Sequence, residues 1–258
     1  MNGTQSSPCG TPGLTPVLAD IRDTFRPDRT GRHGPLPPLL VSMTLVTGLV
    51  DSFSYLVLGH VFVANMTGNV VFLGFALAGA PGFSITASLV AMVAFAAGAL
   101  LGGRLGTRHR EHRARLHSTA ALAQAVFVAA GLVLAAASGG TPAPGYRYAL
   151  IVVLGISMGI QNASARTLAV PDLTTTVLTL TLTGIAADSR LAGGPDAKAG
   201  RRLVSIAAML AGAAVGAVLV RHTEAFIPLA LALATIVAGA AVSRRSGRED
   251  SPWLHPQH

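Results

Sequence analysis

The stretch VANMTGNV, residues 63–70, places two Asn, one Thr and one Gly inside a segment, 61–80, that is otherwise almost entirely apolar. About a hundred residues later the stretch VPDLTTTV, residues 170–177, repeats the spacing of Val, Asn or Asp, Met or Leu, Thr and Val. We call these two stretches the first and second polar strings. Polar side chains are costly in contact with lipid, so a string of them that recurs in an apolar chain points to a shared structural or functional role.

The composition around the strings is that of an integral membrane protein. Of the 258 residues, 51% are hydrophobic and 12% are charged, whereas soluble domains carry about 25% charged residues. A helix needs about 20 apolar residues to cross the hydrocarbon core of a bilayer. Seven segments approach or exceed that length with almost no charge: 38–58, 61–80, 84–103, 118–137, 148–165, 203–220 and 225–243. The sequence therefore predicts an all-α integral membrane protein, a polytopic helix bundle.

The regions outside these segments have a different composition. Residues 1–37 hold six of the fifteen Pro with scattered Gly, Ser and Arg, which predicts a disordered cytoplasmic tail. A short apolar stripe within it, around Ile21, leaves an interfacial helix as the alternative. We expect a transmembrane domain over 38–243 and a second cytoplasmic tail over 244–258.

The distribution of Lys and Arg favours one topology over another. If the seven segments and the Thr-rich stretch 172–187 all cross the membrane, 12 basic residues lie inside and 7 outside. If the segments with the two polar strings instead enter and leave on one side, 17 lie inside and only Arg147 and Arg221 lie outside. Cytoplasmic loops are enriched in Lys and Arg. We therefore expect six full spans and two broken or re-entrant segments. Both termini are expected in the cytoplasm, and the protein is expected in the cytoplasmic membrane. Seven or eight full spans are the alternative.

Three landmarks recur in the same order in both halves of the chain, which predicts an internal repeat. The offsets are nearly constant at 107 to 114 residues, and the repeats cover about 38–138 and 147–243. With three full spans in each half, the second half is inverted relative to the first. The paired landmarks are GLVD (48–51) with GIQN (159–162), the two polar strings, and GALLG (98–102) with GAAVG (212–216).

Asp51 is the acidic residue inside the first predicted span. Together with Thr44, Thr47 and Ser54 it forms a stripe at spacings of three and four residues, one face of a helix. A carboxyl in a span has to face protein or water, and there it can carry a proton. The alternative is a structural carboxyl held by neighbouring polar side chains.

The polar strings and the residues after GISMG (155–159) supply the other candidates for a solute or ion pathway. Inverted-repeat transporters place such groups near the midplane, on discontinuous helices. Packing of polar helices is the alternative interpretation. The residues predicted to form the pathway are Asp51, Asn65, Thr67, Asn69, Gln161, Asn162, Asp172, Thr174, Thr175 and Thr176.

The sequence favours transport over the other classes of function. It contains no GxSxG, Walker A or Cys/His cluster, so we expect neither an enzyme nor a bound metal or cofactor. The basic residues are not interleaved with aromatic residues, which argues against nucleic acid as a partner. The expected partners are the lipid bilayer and a small polar solute or ion, and the GxxxG-type faces also allow a homo-oligomer. The alternative is a non-transporting membrane scaffold that binds lipid or a protein partner.

Two longer strings resemble the YoaK-like family of bacterial integral membrane proteins. They are TGLVDSFSYLVLGHVFVANMTGNVVFLG, residues 47–74, and GIQNASARTLAVPDLTTTVLTLTLTG, residues 159–184, and the resemblance extends over about 38–243. It implies a bacterial multi-pass membrane protein. The family is one of unknown function, so the resemblance assigns no ligand or catalytic residue to this chain.

Overall fold

The structure, a computed structural model, describes residues 14–26, 33–139, 142–170, 178–187, 199–247 and 252–254. Secondary structure in these ranges is helical throughout, without a strand. The helices are α1 (Leu14–Phe25), α2 (Leu36–Val57), α3 (Met66–Leu77), α4 (Ile85–Arg108), α5 (Arg113–Ala137), α6 (Pro144–Leu168), α7 (Leu178–Ala187), α8 (Ala199–His222) and α9 (Ile227–Ser246), followed by a short 3₁₀ turn, Pro252–Leu254. The predicted polytopic all-α fold is confirmed.

Within the described part of the chain, six helices are long and apolar enough to cross a bilayer: α2, α4, α5, α6, α8 and α9. By contrast α3 has 12 residues, which is about 18 Å at 1.5 Å per residue and too short for a span. The segment 61–80 is therefore an extended stretch followed by a short helix, as the distribution of basic residues predicts. The residues before and after this re-entrant segment lie close together, since His60 Nδ1 is 3.1 Å from the Gly82 carbonyl oxygen.

Local sequence explains where the long helices begin. Pro residues lie in the first turns of α2, α6 and α9, where a missing N–H costs no hydrogen bond. The hydroxyl of Ser84 accepts a hydrogen bond from the N–H of Ala87 at the start of α4. His112 caps α5 in the same way through Nδ1, which accepts from the N–H of Arg115. These caps satisfy N–H groups that a helix leaves without a partner in its first turn.

Contacts between helix ends define two ends of the bundle. Ser243 donates to the carbonyl of Ala114, which joins the end of α9 to the start of α5, and Arg113 donates to the carbonyl of Leu168 at the end of α6. We call this the basic end. At the opposite end Arg147, in the first turn of α6, donates to the carbonyl of Gly59 just after α2. The charged loop between α4 and α5 thus lies at the same end as the start of α2 and the end of α9.

Two pairs of helices, α4 with α6 and α2 with α8, cross in close backbone contact at glycines. A methyl group on Gly98 or Gly159 would overlap backbone of the facing helix, and the same holds for Gly48 and Gly212. Small residues at a crossing allow helices in membranes to approach this closely. These faces are occupied within the chain, and the homo-oligomer expected from the GxxxG-type motifs stays a prediction.

The N-terminal region differs from the prediction of a disordered tail. Residues Leu14–Phe25 form α1, which packs on α8, and Asp20 Oδ2 accepts a hydrogen bond from the N–H of Arg201 at 2.8 Å. Leu18 and Phe25 are exposed on this helix. These residues are helical, and the position of this helix at a membrane interface stays a prediction.

Candidate functional site

The stripe predicted on α2 is buried along its whole length: Thr44, Thr47, Asp51 and Ser54 are each at most 4% exposed. Thr44 donates to the carbonyl of Leu40 and Ser54 to that of Asp51, so both hydroxyls bond within their own helix. Thr47 and Asp51 are the members that also bond to other elements. The stripe therefore turns inward, as its spacing predicts.

Asp51 holds the first polar string against α2. Its Oδ1 accepts hydrogen bonds from the N–H groups of Val63, at 3.1 Å, and Ala64, at 2.9 Å. Because lipid offers no hydrogen bonds, backbone that leaves a helix at membrane depth needs partners inside the protein. The buried Oδ2 has no hydrogen-bond partner in the described structure.

Asp51 lies six residues before the end of α2 rather than at its centre, about 9 Å from that end at 1.5 Å per residue. The extended chain after Leu58 therefore descends along α2 to this depth. There α3 begins at Met66. The N-terminus of α3 consequently lies at the depth of Asp51, with Asn65 and Thr67 exposed beside it.

Asn69, on α3, also bonds to the backbone of this loop. Its Oδ1 accepts from the N–H of Phe62 at 2.9 Å, and its Nδ2 donates to the carbonyl of Phe62 at 2.6 Å. The Phe62 ring stacks on Tyr55 of α2 and Phe72 of α3. The fully buried Asn69 is thus bonded to both main-chain polar groups of one residue in its own loop.

Asn65 and Thr67, the other candidates in the first polar string, have exposed side chains. Asn65 precedes α3 rather than lying on its face with Asn69. The second polar string starts at the buried Val170, directly after Ala169, which ends α6 in a left-handed conformation. Asp172, Thr174, Thr175 and Thr176 lie outside the described residues, so a site shared by the two strings stays a prediction. Beyond them the chain is helical over α7, which begins at Leu178.

A second group of polar side chains lies at the middle of the bundle. Gln161 of α6 donates through Nε2 to Thr47 Oγ1, at 2.8 Å, and to the carbonyl of Met43, at 3.1 Å. Its Oε1 accepts from Nε2 of Gln124, on α5, at 2.6 Å. Ser157 donates to the carbonyl of Gln124. We call Thr47, Gln124, Ser157 and Gln161 the central cluster, and it joins three helices at about their mid-length.

A cavity of about 20 Å³ lies next to the central cluster, toward the basic end. Four of its lining residues have polar side chains, and the surface that the lining presents to the empty space is apolar. A space of this size has room for one water molecule. The polar lining residues are His117, Gln124, Gln161 and Ser164.

His117 is the unusual member of this lining. It is 4% exposed, and neither ring nitrogen has a hydrogen-bond partner in the described structure. Buried polar atoms are normally paired, and unpaired ones often mark a site for water, an ion or a ligand. The imidazole can donate through one nitrogen and accept through the other.

Gln161 is predicted from the sequence, whereas its partner on α5, Gln124, and the nearby His117 are not. His117 and Gln124 are seven residues apart, two helical turns, and thus share a face. That spacing, in an otherwise apolar segment, is the signal that identifies them. Asn162, predicted beside Gln161, is half-buried and donates to the carbonyl of Met158 in its own helix.

The six long apolar helices, the re-entrant α3 and the buried polar groups define a polytopic helical membrane protein. A family model described as "Protein of unknown function (DUF1275)" matches residues 39–242. The chain belongs to this family. The resemblance to YoaK-like proteins is thereby confirmed.

A curated relative agrees with this assignment. The chain is 36% identical over 155 residues to "UPF0700 transmembrane protein YoaK" of Bacillus subtilis (strain 168). The aligned part covers 58% of this chain and 65% of the relative, slightly less than two thirds of that protein. No solved structure matches.

Proposed function

We propose that the protein is a secondary transporter or channel for a small polar solute or ion, built from two inverted repeats that meet at the central cluster. The helix order supports this arrangement: α2, α3, α4 and α5 in the first half correspond to α6, α7, α8 and α9 in the second. In inverted-repeat transporters the binding site lies near the midplane, where the halves meet.

The observation that carries the proposal is that the crossing of α4 with α6 and the crossing of α8 with α2 use corresponding contacts. A methyl group on Gly98 would meet the Ile156 carbonyl, and one on Gly212 would meet the Leu45 carbonyl. The positions differ by 114 residues on α4 and α8 and by 111 on α6 and α2, the same offsets that relate the sequence landmarks. Chance packing of small residues has no reason to reproduce these offsets.

The next helical turn repeats the correspondence. A methyl group on Gly102 would meet the Ile160 carbonyl and Ala163, and one on Gly216 would meet Leu49 and Ser52. Ile160 and Leu49 are again 111 residues apart, as are Ala163 and Ser52. Two turns of matched contacts support a duplicated unit whose copies pack against each other reciprocally.

The position of the polar groups supports transport through this interface. The central cluster joins Thr47 of the first half to Gln161 of the second half by a direct hydrogen bond. One turn from Thr47 on the same helix, Asp51 presents a buried carboxylate oxygen without a partner in the described structure. We propose that Asp51 couples transport to protons, since a buried carboxyl can take up a proton at that oxygen.

A different observation supports the alternative of a non-transporting membrane scaffold. Asp51 Oδ1 and the whole Asn69 amide already bond to the backbone of the re-entrant loop. These contacts are sufficient to account for the first polar string as structural. The central cluster, in contrast, takes no part in these contacts and is the feature to test.

Proteoliposomes with the purified protein test the proposal by light scattering. After an osmotic upshift with urea, glycerol or potassium formate, we expect faster reswelling than in protein-free liposomes for at least one solute. Gln161→Leu should return that rate to the protein-free value, because it replaces the polar link between the halves by an apolar chain. Thr235→Val, which removes an exposed hydroxyl bonded within α9, should retain the wild-type rate.

Two outcomes would count against the proposal. A flux that Gln161→Leu leaves unchanged would exclude the central cluster as the pathway. The absence of flux for every solute would favour the scaffold.

A further inference from the structure

Residues 253 and 254 are buried, in a region where the sequence predicts a cytoplasmic tail. Trp253, the sole tryptophan, is 1% exposed and Leu254 is 3% exposed. Both belong to a buried cluster at the basic end with Leu36, Leu40 and Leu168. A large aromatic side chain contributes strongly to burial, so this contact is not that of a solvated tail.

The protein has a fitted place for the indole ring. Gly34, just before α2, adopts φ +46° and lies against the ring, so closely that an added methyl group would overlap it. A positive φ is strained for other residues and accessible to glycine. The seat for Trp253 is therefore formed by the backbone at the start of α2.

The cluster that buries Trp253 and Leu254 and the lining of the cavity beside His117 have residues in common. Leu40, Ala165 and Leu168 line the cavity and also belong to the cluster that holds Trp253 and Leu254. The cavity lies between the central cluster and the basic end. Trp253 and Leu254 do not themselves line the cavity; they lie in the same buried cluster as three of its lining residues, and we call these two residues the plug.

The chemistry of the cavity limits what it can bind. Asp, Glu, Lys and Arg are all absent from its lining, so an ion would find no opposite charge there. Burying an unpaired charge is far more costly than burying a polar neutral group. His117 offers one donor and one acceptor, and the other polar groups are two amides and a hydroxyl.

We propose that this cavity is a binding chamber for a small uncharged hydrogen-bonding solute, with His117 as its main binding group, and that the plug closes it at the basic end. The proposal rests on the proposed function in one respect, because it identifies the solute bound in this chamber with the solute that is transported. With the plug in place the chamber has room for a single water. Departure of the plug opens it to the aqueous phase.

The plug lies outside the part of the chain that the family shares. The family model ends at residue 242, ahead of Trp253. A closing element in this position can regulate entry without altering the shared helices. The arrangement is an intramolecular contact that competes with an open chamber, so the chamber is accessible only for the fraction of time that the plug is displaced.

Cysteine accessibility tests the chamber and the plug without requiring transport. In a Cys9→Ser background, which removes the sole cysteine, Ser164→Cys places a thiol in the lining. In nanodiscs we expect slow reaction with the impermeant 2-sulfonatoethyl methanethiosulfonate. Adding Trp253→Ala and Leu254→Ala should accelerate it at least about tenfold, since the rate for a buried thiol follows the population of the open state.

Matched controls separate opening of the chamber from unfolding. Trp253→Phe keeps an aromatic ring in the seat and should keep the reaction slow. A cysteine at Val126, an exposed apolar position on α5, should stay unreactive in the bilayer in every background. An equal rate with and without the plug, or a reactive cysteine at 126, would overturn the proposal.

The wild-type chain provides a second test that needs no destabilising variant. Because Trp253 is the sole tryptophan, intrinsic fluorescence reports on the plug alone. We expect a blue-shifted emission and weak quenching by acrylamide. Emission typical of a water-exposed indole would contradict the plug.

Reswelling of proteoliposomes then tests the class of solute. The variant without the plug should admit urea faster than wild type and leave potassium formate unchanged, and Gln161→Leu should still block the urea flux. Faster formate entry would overturn the uncharged class. Accelerated labelling of Ser164→Cys without any flux would refute transport and leave the plugged chamber standing.

Discussion

Gly98→Ala and Gly212→Ala are expected to lower the melting temperature of the purified protein strongly and by similar amounts. Each added methyl group would overlap a carbonyl oxygen of the facing helix, Ile156 for Gly98 and Leu45 for Gly212. A backbone atom cannot rotate away as a side chain can, so the helices have to separate. Overpacking of this kind costs about 1–3 kcal/mol per site. Thermal unfolding in detergent, followed by tryptophan-independent dye binding or light scattering, measures the effect.

The matched control is Gly103→Ala, next to Gly102 on the same helix. An added methyl group at Gly103 has no neighbour within 4 Å. Alanine is the better helix former by up to about 1 kcal/mol, so this variant should be unchanged or slightly more stable. A control as unstable as Gly98→Ala would mean that the loss is unrelated to the crossing. Unequal losses at Gly98 and Gly212 would contradict the equivalence of the two crossings.

Asp51→Ala is expected to be the most damaging change at the re-entrant loop, and Asp51→Asn the most informative. Alanine leaves the N–H groups of Val63 and Ala64 without their acceptor, at about 1–3 kcal/mol for each buried group left unpaired. Asparagine retains a carbonyl oxygen that can accept both hydrogen bonds. The melting temperature should therefore fall sharply for Asp51→Ala and only slightly for Asp51→Asn.

The same pair of variants separates the two roles of the carboxyl group. If Asp51 carries a proton during transport, Asp51→Asn should abolish the effect of an imposed pH gradient on solute flux, because an amide cannot take up that proton. A stable Asp51→Asn variant with full proton-dependent flux would restrict Asp51 to holding the loop. Equal stability of the alanine and asparagine variants would exclude the loop contact as a stabilising one.

Several features of the fold can be predicted from the sequence because they depend on patterns along the chain. The apolar segments predict the six long helices, and the stripe from Thr44 to Ser54 follows from helical periodicity. The broken segment is less obvious, since 61–80 is apolar enough to cross a membrane. For this segment the distribution of basic residues over the loops favours a re-entrant segment over a full span, in agreement with the short α3.

The contacts of the polar side chains are less predictable, because they depend on where the backbone turns. Asp51 and Asn69 bond to main-chain groups of Phe62, Val63 and Ala64, and any residue other than proline would offer the same groups at these positions. A pattern of side chains therefore carries no signal for this arrangement. The pairing of Gln124 with Gln161 depends in turn on the packing of α5 against α6.

The two ends of the chain differ from the sequence prediction for a common reason. Composition identifies residues 1–37 and 244–258 as polar and rich in Pro or Arg, but a few apolar residues suffice for docking on a bundle. Ile21 lies in α1, and Trp253 fills a seat beside Gly34. Such contacts are long-range in sequence and leave no periodicity.

The most direct test of the inverted arrangement is the side of the membrane on which three cysteines react. In a Cys9→Ser background, single cysteines at Asp23, Ala78 and Arg110 would be treated with an impermeant maleimide in intact cells and after lysis. With six spans, inverted halves and a cytoplasmic N-terminus, only the cysteine at 78 reacts in intact cells, and those at 23 and 110 react after lysis. Reaction at 110 in intact cells, with 23 and 78 protected, would mean eight full spans and parallel halves, and would contradict the account.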